Sequence, residues 1–456
     1  MADTFDAAVI GGGPGGYVCA IRCAQLGKKT ALVENRELGG TCLNRGCIPT
    51  KALLHTAELY DEIKRHGKEL GLNGDISLDF GALAERKDRI IEKLRRGIEA
   101  LVKGRKITLI RETAELTGPK SFRAGTAEYA ADNMVIASGS GPAAIPVPGA
   151  GRPEVLNSDA VLALKSLPGS AVIIGGGVIG VEFATLFASF GRKVTVIEML
   201  PRILNGMDED ICEAMTRLLK KRGVAVHTGA RVLEIAGGGV CSFEEGGVRK
   251  EAAGSIVVMA VGRRPLTKNL GLEKTGIALE RGFIAVDEGL RTSVNGIYAI
   301  GDVTGKVQLA HVASAQGLTA AANIAGKNAK MAYAVIPACV YTNPEIASAG
   351  MTEAQVAAAG LPYRKGNFPA AANGRSMIMN CPEGFVKILS HKHTGEILGA
   401  HIMAPRATDM IGEIAAAMRS EAVIEELADT IHAHPTVNEM IMEAAHDAEG
   451  LCCHKL

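Results

Sequence analysis

No tryptophan occurs in this chain of 456 residues, and aromatic side chains make up only 4% of it. That lack leaves no functional signature. The near-absence of net charge says more. Lys and Arg number 50 against 49 Asp and Glu, a formal +1, so nothing electrostatic favours nucleic acid or an anionic membrane surface as partner. No run of 18 apolar residues appears, so no membrane span is expected. The opening MADTFDAAVI is acidic and lacks the basic start of a secretory signal. Ten cysteines are scattered through the chain rather than gathered into a dense disulfide framework. A cytoplasmic location is the expectation, and in that reducing compartment any disulfide should be a working one.

What is present divides into several domains, because a chain this long exceeds what one core can fill. The most informative stretch is Gly39 to Lys51, GGTCLNRGCIPTK, with Cys42 and Cys47 five positions apart. On an ideal helix their axial separation would be about 7.5 Å. A disulfide tolerates about 7 Å between Cα atoms, so the segment must bend for the pair to close. Gly46 supplies permissive backbone between the two thiols, and Pro49 restricts the backbone around it. The cysteines alone allow two readings, a redox couple or two buried structural thiols.

An apolar strand, Ala7 to Ile10, precedes Gly11, Gly13 and Gly16 in G-x-G-x-x-G spacing; a helical stretch then stops at Gly27, and a second strand ends at Glu34. Glycines let the backbone approach a pyrophosphate at a helix N-terminus, and the acid accepts hydrogen bonds from a ribose. Cys19 and Cys23, one helical turn apart on that helix, read as core packing. The unit returns with Gly175, Gly177, Gly180, Gly191 and Glu198, each 164 residues after its counterpart. Two dinucleotide units imply two dinucleotides, and a flavin beside a nicotinamide makes chemical sense next to a dithiol. Glu198 favours NAD, since a carboxylate repels the extra phosphate of NADP; Arg202 nearby pulls the other way.

Between the units, 81–103 is charge-rich with helical period, an exposed helix, while 107–116 and 121–136 read as strands. GPAAIPVPGAGRP marks a boundary. Beyond about Tyr341, strands such as FVKILS and ILGAHIM alternate with alanine-rich helices, a separate α+β domain. Near its end is IHAHPTVNEMIMEAA. Pro435 suits the first position of a helix, which would place Glu439 in its early turns beside His434. A carboxylate on one imidazole nitrogen leaves the other free as a base. His432 makes an H-x-H pair with His434, but no further ligand stands nearby and no metal site is expected.

The strings GGTCLNRGCIPTK and HAHPTVNE resemble the redox-active disulfide and C-terminal His-Glu segments of the pyridine nucleotide-disulfide oxidoreductases, most closely of members that oxidise dihydrolipoyl groups. Thr50 stands where a serine is usual. The resemblance runs over essentially the whole chain. It implies an α/β fold of two Rossmann-like dinucleotide-binding domains plus a C-terminal α+β dimerisation domain, divided as 1–147, 148–272, 273–340 (a return to the flavin unit) and 341–456. It implies FAD held by Gly11, Gly13, Gly16, Glu34, Lys51, Ser138 and Asp302, and NAD held by Gly175, Gly177, Gly180, Glu198 and Gly262. It also implies catalysis by Cys42, Cys47, His434 and Glu439, with Lys51 paired to Glu182. Val18, 164 positions before Glu182, shows that this place on the helix does not itself demand an acid. Asp302 could equally be a turn former.

The implied protein is a homodimer acting on free or protein-borne dihydrolipoyl groups, in a 2-oxo acid dehydrogenase or glycine-cleavage assembly. No lipoyl-bearing extension is expected before the first strand, so which of these assemblies it serves cannot be read. Members that reduce mercuric ions share the disulfide segment and often end in adjacent cysteines, as at Cys452 and Cys453, but lack HAHPT. A scaffold that kept the fold and lost turnover is disfavoured by the intact Cys42, Cys47, His434 and Glu439.

Overall fold

The computed structural model describes residues 3–455. Its first sheet has five parallel strands in the order 108–110, 30–33, 3–10, 127–136, 297–299. The antiparallel strands 114–118 and 121–124 extend from the first half of 127–136. A second five-stranded parallel sheet runs 225–227, 193–197, 170–174, 256–259, 155–157, accompanied by an antiparallel meander over 230–236, 240–245 and 248–253. The repeat therefore reaches beyond the glycines to the attached antiparallel strands. Strands such as Thr30–Val33 are buried throughout, as expected where a parallel sheet is covered on both faces.

The third sheet is antiparallel, in the order 338–340, 345–350, 397–404, 385–391, 363–369. Its strand Ile397–Ala404 is wholly buried, and the helices Ala407–Arg419 and Glu439–Ala448 pack into the same core. A short antiparallel pair, Ser140–Pro142 with Arg263–Pro265, joins the exits of the two parallel sheets.

Three expectations need correction. The stretch 107–116 is two strands, Thr108–Ile110 and Ala114–Gly118, in different parts of the sheet, separated by the exposed Arg111 and Glu112. The stretch 121–136 is likewise split, because Gly125 turns the chain at φ +60°. The charged helix Phe80–Gly104 is present, and Asp79 caps it by accepting from the Ala82 amide at 2.9 Å. It is not exposed all round: Phe80, Leu83, Ala84, Lys87 and Ile91 are buried, with Lys87 donating to the Leu162 carbonyl at 2.9 Å.

Candidate active site

Both glycine turns are built alike. Gly11 (φ +111°) and Gly175 (φ +108°) adopt conformations that side chains rarely take, and a Cβ there would lie 2.2 Å from the Ala137 oxygen and 2.3 Å from the Ala260 oxygen. A Cβ on Gly16 or Gly180 would lie 1.8 or 1.9 Å from the preceding turn's carbonyl. Gly13 and Gly177 lead into the helices Pro14–Gln25 and Val178–Ser189, neither capped by a side chain, so the first-turn amides stay available to an anion. A Cβ on Gly177 would meet nothing within 4 Å. Each acid clamps its own turn. Glu34 accepts from the Gly12 and Arg36 amides, both at 2.8 Å, and Glu198 accepts from Gly176 at 2.5 Å and Leu200 at 2.7 Å. Arg202 is paired with Glu209.

The cysteine segment is seated on the first of these turns. Gly39 donates to the Gly12 carbonyl at 2.8 Å, and a Cβ on Gly40 would fall 2.6 Å from Gly13 Cα. The helix Gly40–Arg45 stops, Gly46 breaks it at φ −146°, ψ −108°, and a new helix, Cys47–His66, begins at the second cysteine. The bend thus falls between the thiols. Thr50 Oγ1 donates to the Gly46 carbonyl at 2.7 Å and steadies the break. Both cysteines are thiols here. The Cys42 thiol donates to Cys47 and, together with Lys51, holds Cys47 down at about 7 against the opposing effect of burial. The same hydrogen bond, then burial, pushes Cys42 well up.

From the fourth residue beyond Cys47, Lys51 Nζ reaches Glu182 Oε1 and Oε2 at 2.8 and 2.9 Å. Glu182, on the helix of the second glycine turn, is only 5% exposed and also accepts from the Tyr341 amide at 3.0 Å. The Tyr341 ring lies 4.5 Å from Lys51 Nζ. One ion pair therefore touches all three sheets' territory at the dithiol.

Asp302 accepts from Ser140 Oγ at 2.5 Å, and Arg263 donates to Ser140 Oγ and to its carbonyl, both at 2.7 Å. Gln316, fully buried, accepts from the Gly301 amide at 2.6 Å beside it. Sequence reasoning missed Ser140, Arg263 and Gln316; the only signal was the VGRRP string around Arg263. Ser138 spends its hydroxyl on the Leu266 carbonyl at 2.8 Å, and Gly262 (φ +105°) faces open space.

His434 Nδ1 and Glu439 Oε1 are 2.8 Å apart, and Glu439 Oε2 accepts from the Thr436 amide at 2.8 Å. The helix carrying Glu439 starts at that residue, so Pro435 is not its first position. A turn closed by Thr436 Oγ1 on the Ala433 carbonyl intervenes. Both His432 nitrogens are occupied, by Glu413 and by the Thr430 carbonyl. The structure brings Cys42, Cys47, Lys51 and Glu182 together. Among the described residues no hydrogen bond or ion pair joins His434 to the cysteines; its side chain is 79% exposed, and the nearby Ile431 is 96% exposed.

Residues 5–317 match the pyridine nucleotide-disulphide oxidoreductase family, and 336–445 match its dimerisation domain. The chain belongs to this family of enzymes. Its relatives include the dihydrolipoyl dehydrogenases of Chlamydia muridarum and Bacillus subtilis, each 42% identical over 98% of this chain and 97% of theirs. Among solved structures, the HOCl-induced flavoprotein disulfide reductase RclA from Escherichia coli superposes with a TM-score of 0.87 at 31% identity, covering 96% of this chain and 99% of that one. LpdA from Mycobacterium tuberculosis gives 0.88 at 29%, covering 96% and 99%. The cofactors are FAD and NAD. The two open glycine cradles, each closed by its carboxylate, fit two dinucleotides.

Proposed function

We propose that this protein oxidises dihydrolipoyl groups to the lipoyl disulfide through Cys42 and Cys47 and delivers the electrons to NAD. The observation that carries the reading is the dithiol seated on the first glycine turn with Lys51 reaching across it to Glu182 of the second, so that one thiol pair is flanked by both nucleotide units. In this reading Gly11, Gly13, Gly16, Glu34, Ser138 and Asp302 hold FAD, and Gly175, Gly177, Gly180, Glu198 and Gly262 hold NAD. Bound FAD supplies a two-electron acceptor that returns a hydride to the nicotinamide.

The chain's own residues do the thiol chemistry. His434, oriented by Glu439, takes a proton from a substrate thiol. The thiolate attacks Cys42 of the oxidised pair; a substrate–Cys42 disulfide forms, the Cys42–Cys47 bond breaks, and Cys47 leaves as a thiolate. The second substrate thiolate then attacks the first substrate sulfur and releases Cys42. Lys51 stabilises the anionic Cys47, whose low titration range suits it to leave. His434 faces outward beside the exposed Ile431, and this supports its acting on the partner subunit's dithiol in a dimer. The dihydrolipoyl group is carried by a 2-oxo acid dehydrogenase or glycine-cleavage assembly in the cytoplasm.

Anaerobic dihydrolipoamide should bleach the flavin band of the purified holoprotein, and NAD should restore it faster than NADP at equal concentration. A flavin band indifferent to dihydrolipoamide, or faster recovery with NADP, would overturn the reading. Arg202, the nearby cation that could favour NADP, is paired with Glu209.

The tail tests the competing reading, reduction of a soft metal ion. Adjacent Cys452 and Cys453 suit such an ion, yet the tail is pinned rather than free. Cys452 Sγ donates to Glu443 Oε2 at 3.1 Å, His454 Nδ1 lies 2.6 Å from Oε1, and Lys455 pairs with Asp447 at 2.7 Å. Leu456 lies outside the described residues. Deleting Cys452 through Leu456 should leave dihydrolipoamide–NAD turnover within a few-fold. Because Glu443 is buried and loses two partners, the stability of the fold should fall by about 1–3 kcal/mol. Robust NADPH-driven Hg(II) reduction that vanishes with the deletion would favour the metal reading instead.

A further inference from the structure

Between the second dinucleotide unit and the C-terminal sheet lies a charged cluster that none of the chemistry above uses. Lys387, on the strand Phe385–His391, is 1% exposed, with Nζ 2.8 Å from Asp208, 2.7 Å from Asp210 and 2.5 Å from Glu353. Asp208 is equally buried; it accepts from the Asp210 amide at 3.2 Å, capping the helix Glu209–Lys221, and from the Glu353 amide at 3.0 Å. His401 Nε2 stands 3.8 Å from Asp208, and its buried Nδ1 has no partner. Buried ion clusters are weak sources of net stability, because desolvation offsets most of the attraction. What this one does supply is a fixed position for Asp208.

Asp208 terminates the loop 199–207, which leaves the strand end at Glu198 and folds back under the second glycine turn. Leu204 donates to the Gly176 carbonyl at 2.7 Å, and a Cβ on Gly176 would come 2.8 Å from Ile203. The Gly176 amide is in turn the donor to Glu198. A continuous chain of contacts thus runs from Lys387 through Asp208 and the loop to Gly176 and Glu198.

We propose that Lys387 is a positioning residue for the pyridine nucleotide: by fixing Asp208 it holds the loop 199–207 against Gly176, so that the C-terminal domain sets the geometry of the NAD cradle. The proposal rests on the second unit being the NAD site. Without the lysine, three carboxylates face one another, Asp208 is repelled from its place, and the loop loses its far anchor. The dithiol lies outside this chain of contacts.

The test is Lys387→Met in the FAD-loaded full-length protein, titrated with NADH by fluorescence and assayed with varied NAD and varied dihydrolipoamide. The NADH Kd and the KM for NAD should rise about ten- to a hundredfold. Flavin content, subunit association and the KM for dihydrolipoamide should stay within about twofold of the parent. A lowered melting temperature with unchanged nucleotide affinity would overturn the proposal, since that is what a purely structural cluster would give. If Lys387→Met does not fold, Asp208→Asn keeps the shape and removes the charge. It should raise the NADH Kd several-fold, and an unchanged Kd there would likewise overturn the proposal. A parent protein that binds neither NADH nor NADPH would overturn the functional reading itself.

Discussion

Replacing His434 with glutamine should lower the oxidation of dihydrolipoamide by about 10²–10⁴-fold, the range that loss of a general base typically costs. FAD content should not change, because among the described residues His434 and Glu439 bond to each other and to Thr436 and make no hydrogen bond or ion pair to either glycine turn. Glu439 is tied to the Thr436 amide as well as to the imidazole, so it holds Nδ1 and leaves the other nitrogen free for the thiol proton that the proposed mechanism assigns to it. Its carboxyl is held low by hydrogen bonding to Thr436 and then to His434, in spite of burial. Glu439→Gln should therefore reduce turnover by a smaller factor and change its pH profile. Because His434 points out of its own chain, mixing Cys47→Ser protein with His434→Gln protein should restore part of the activity once subunits exchange. Exchange proven by mass with no recovery would rule out action across the interface.

Loss of either active-site thiol should abolish turnover outright, since no disulfide can then form, but the two losses should differ in what remains. In Cys42→Ser the new hydroxyl can still donate to Cys47, and Lys51 is still in place, so Cys47 should keep a thiolate that appears as pH rises through about 7. In Cys47→Ser the remaining thiol at position 42 should stay protonated until well above that pH. Alkylation at graded pH, followed by peptide mapping, separates these from the other cysteines. Several of those are inert by burial, with Cys212 pushed up to about 11 and Cys241 and Cys381 to about 12. Rapid neutral-pH alkylation of Cys42 in Cys47→Ser, with none of Cys47 in Cys42→Ser, would reverse the assignment of the leaving thiolate.

The parts of this site that could be read from the chain are those whose chemistry is local in sequence. Gly11 and Gly16 announce themselves because the tight turn there admits no side chain, Gly13 because it leaves the helix N-terminus open to an anion, and the helix break at Gly46 reflects the reach of a disulfide. Lys51 and Glu182 are 131 positions apart, and their pairing was legible only through the family resemblance; Val18 in the duplicated unit showed no more than that this place on the helix does not itself demand an acid. Nothing comparable pointed to Ser140 and Arg263, whose meeting with Asp302 depends on three distant strand ends. Lys387 was hidden by its type: a lysine in a strand reads as a solvated edge, whereas tertiary packing surrounds it with Asp208 and Asp210 from another domain and Glu353 from its own. The misplaced helix start at Pro435 has the same origin, because an isolated proline marks a permitted first position but not the turn that precedes the helix.

The strand Ile297–Ala299 completes the first parallel sheet by pairing with Met134 to Ile136, and the helix Ala310–Ile324 then closes over the first glycine helix, where a Cβ on Gly317 would meet the Gly15 carbonyl at 2.5 Å. The whole second unit lies between those two halves of the first. On a ribosome, the second unit emerges with all its parallel strands before the first can shut, an interval of about 10 to 30 s at ordinary elongation rates. For that time the nascent chain carries a dithiol segment and an open sheet edge at Met134 to Ile136, so a stop codon between Ile136 and Ile297 should leave an aggregation-prone fragment rather than a small flavoprotein.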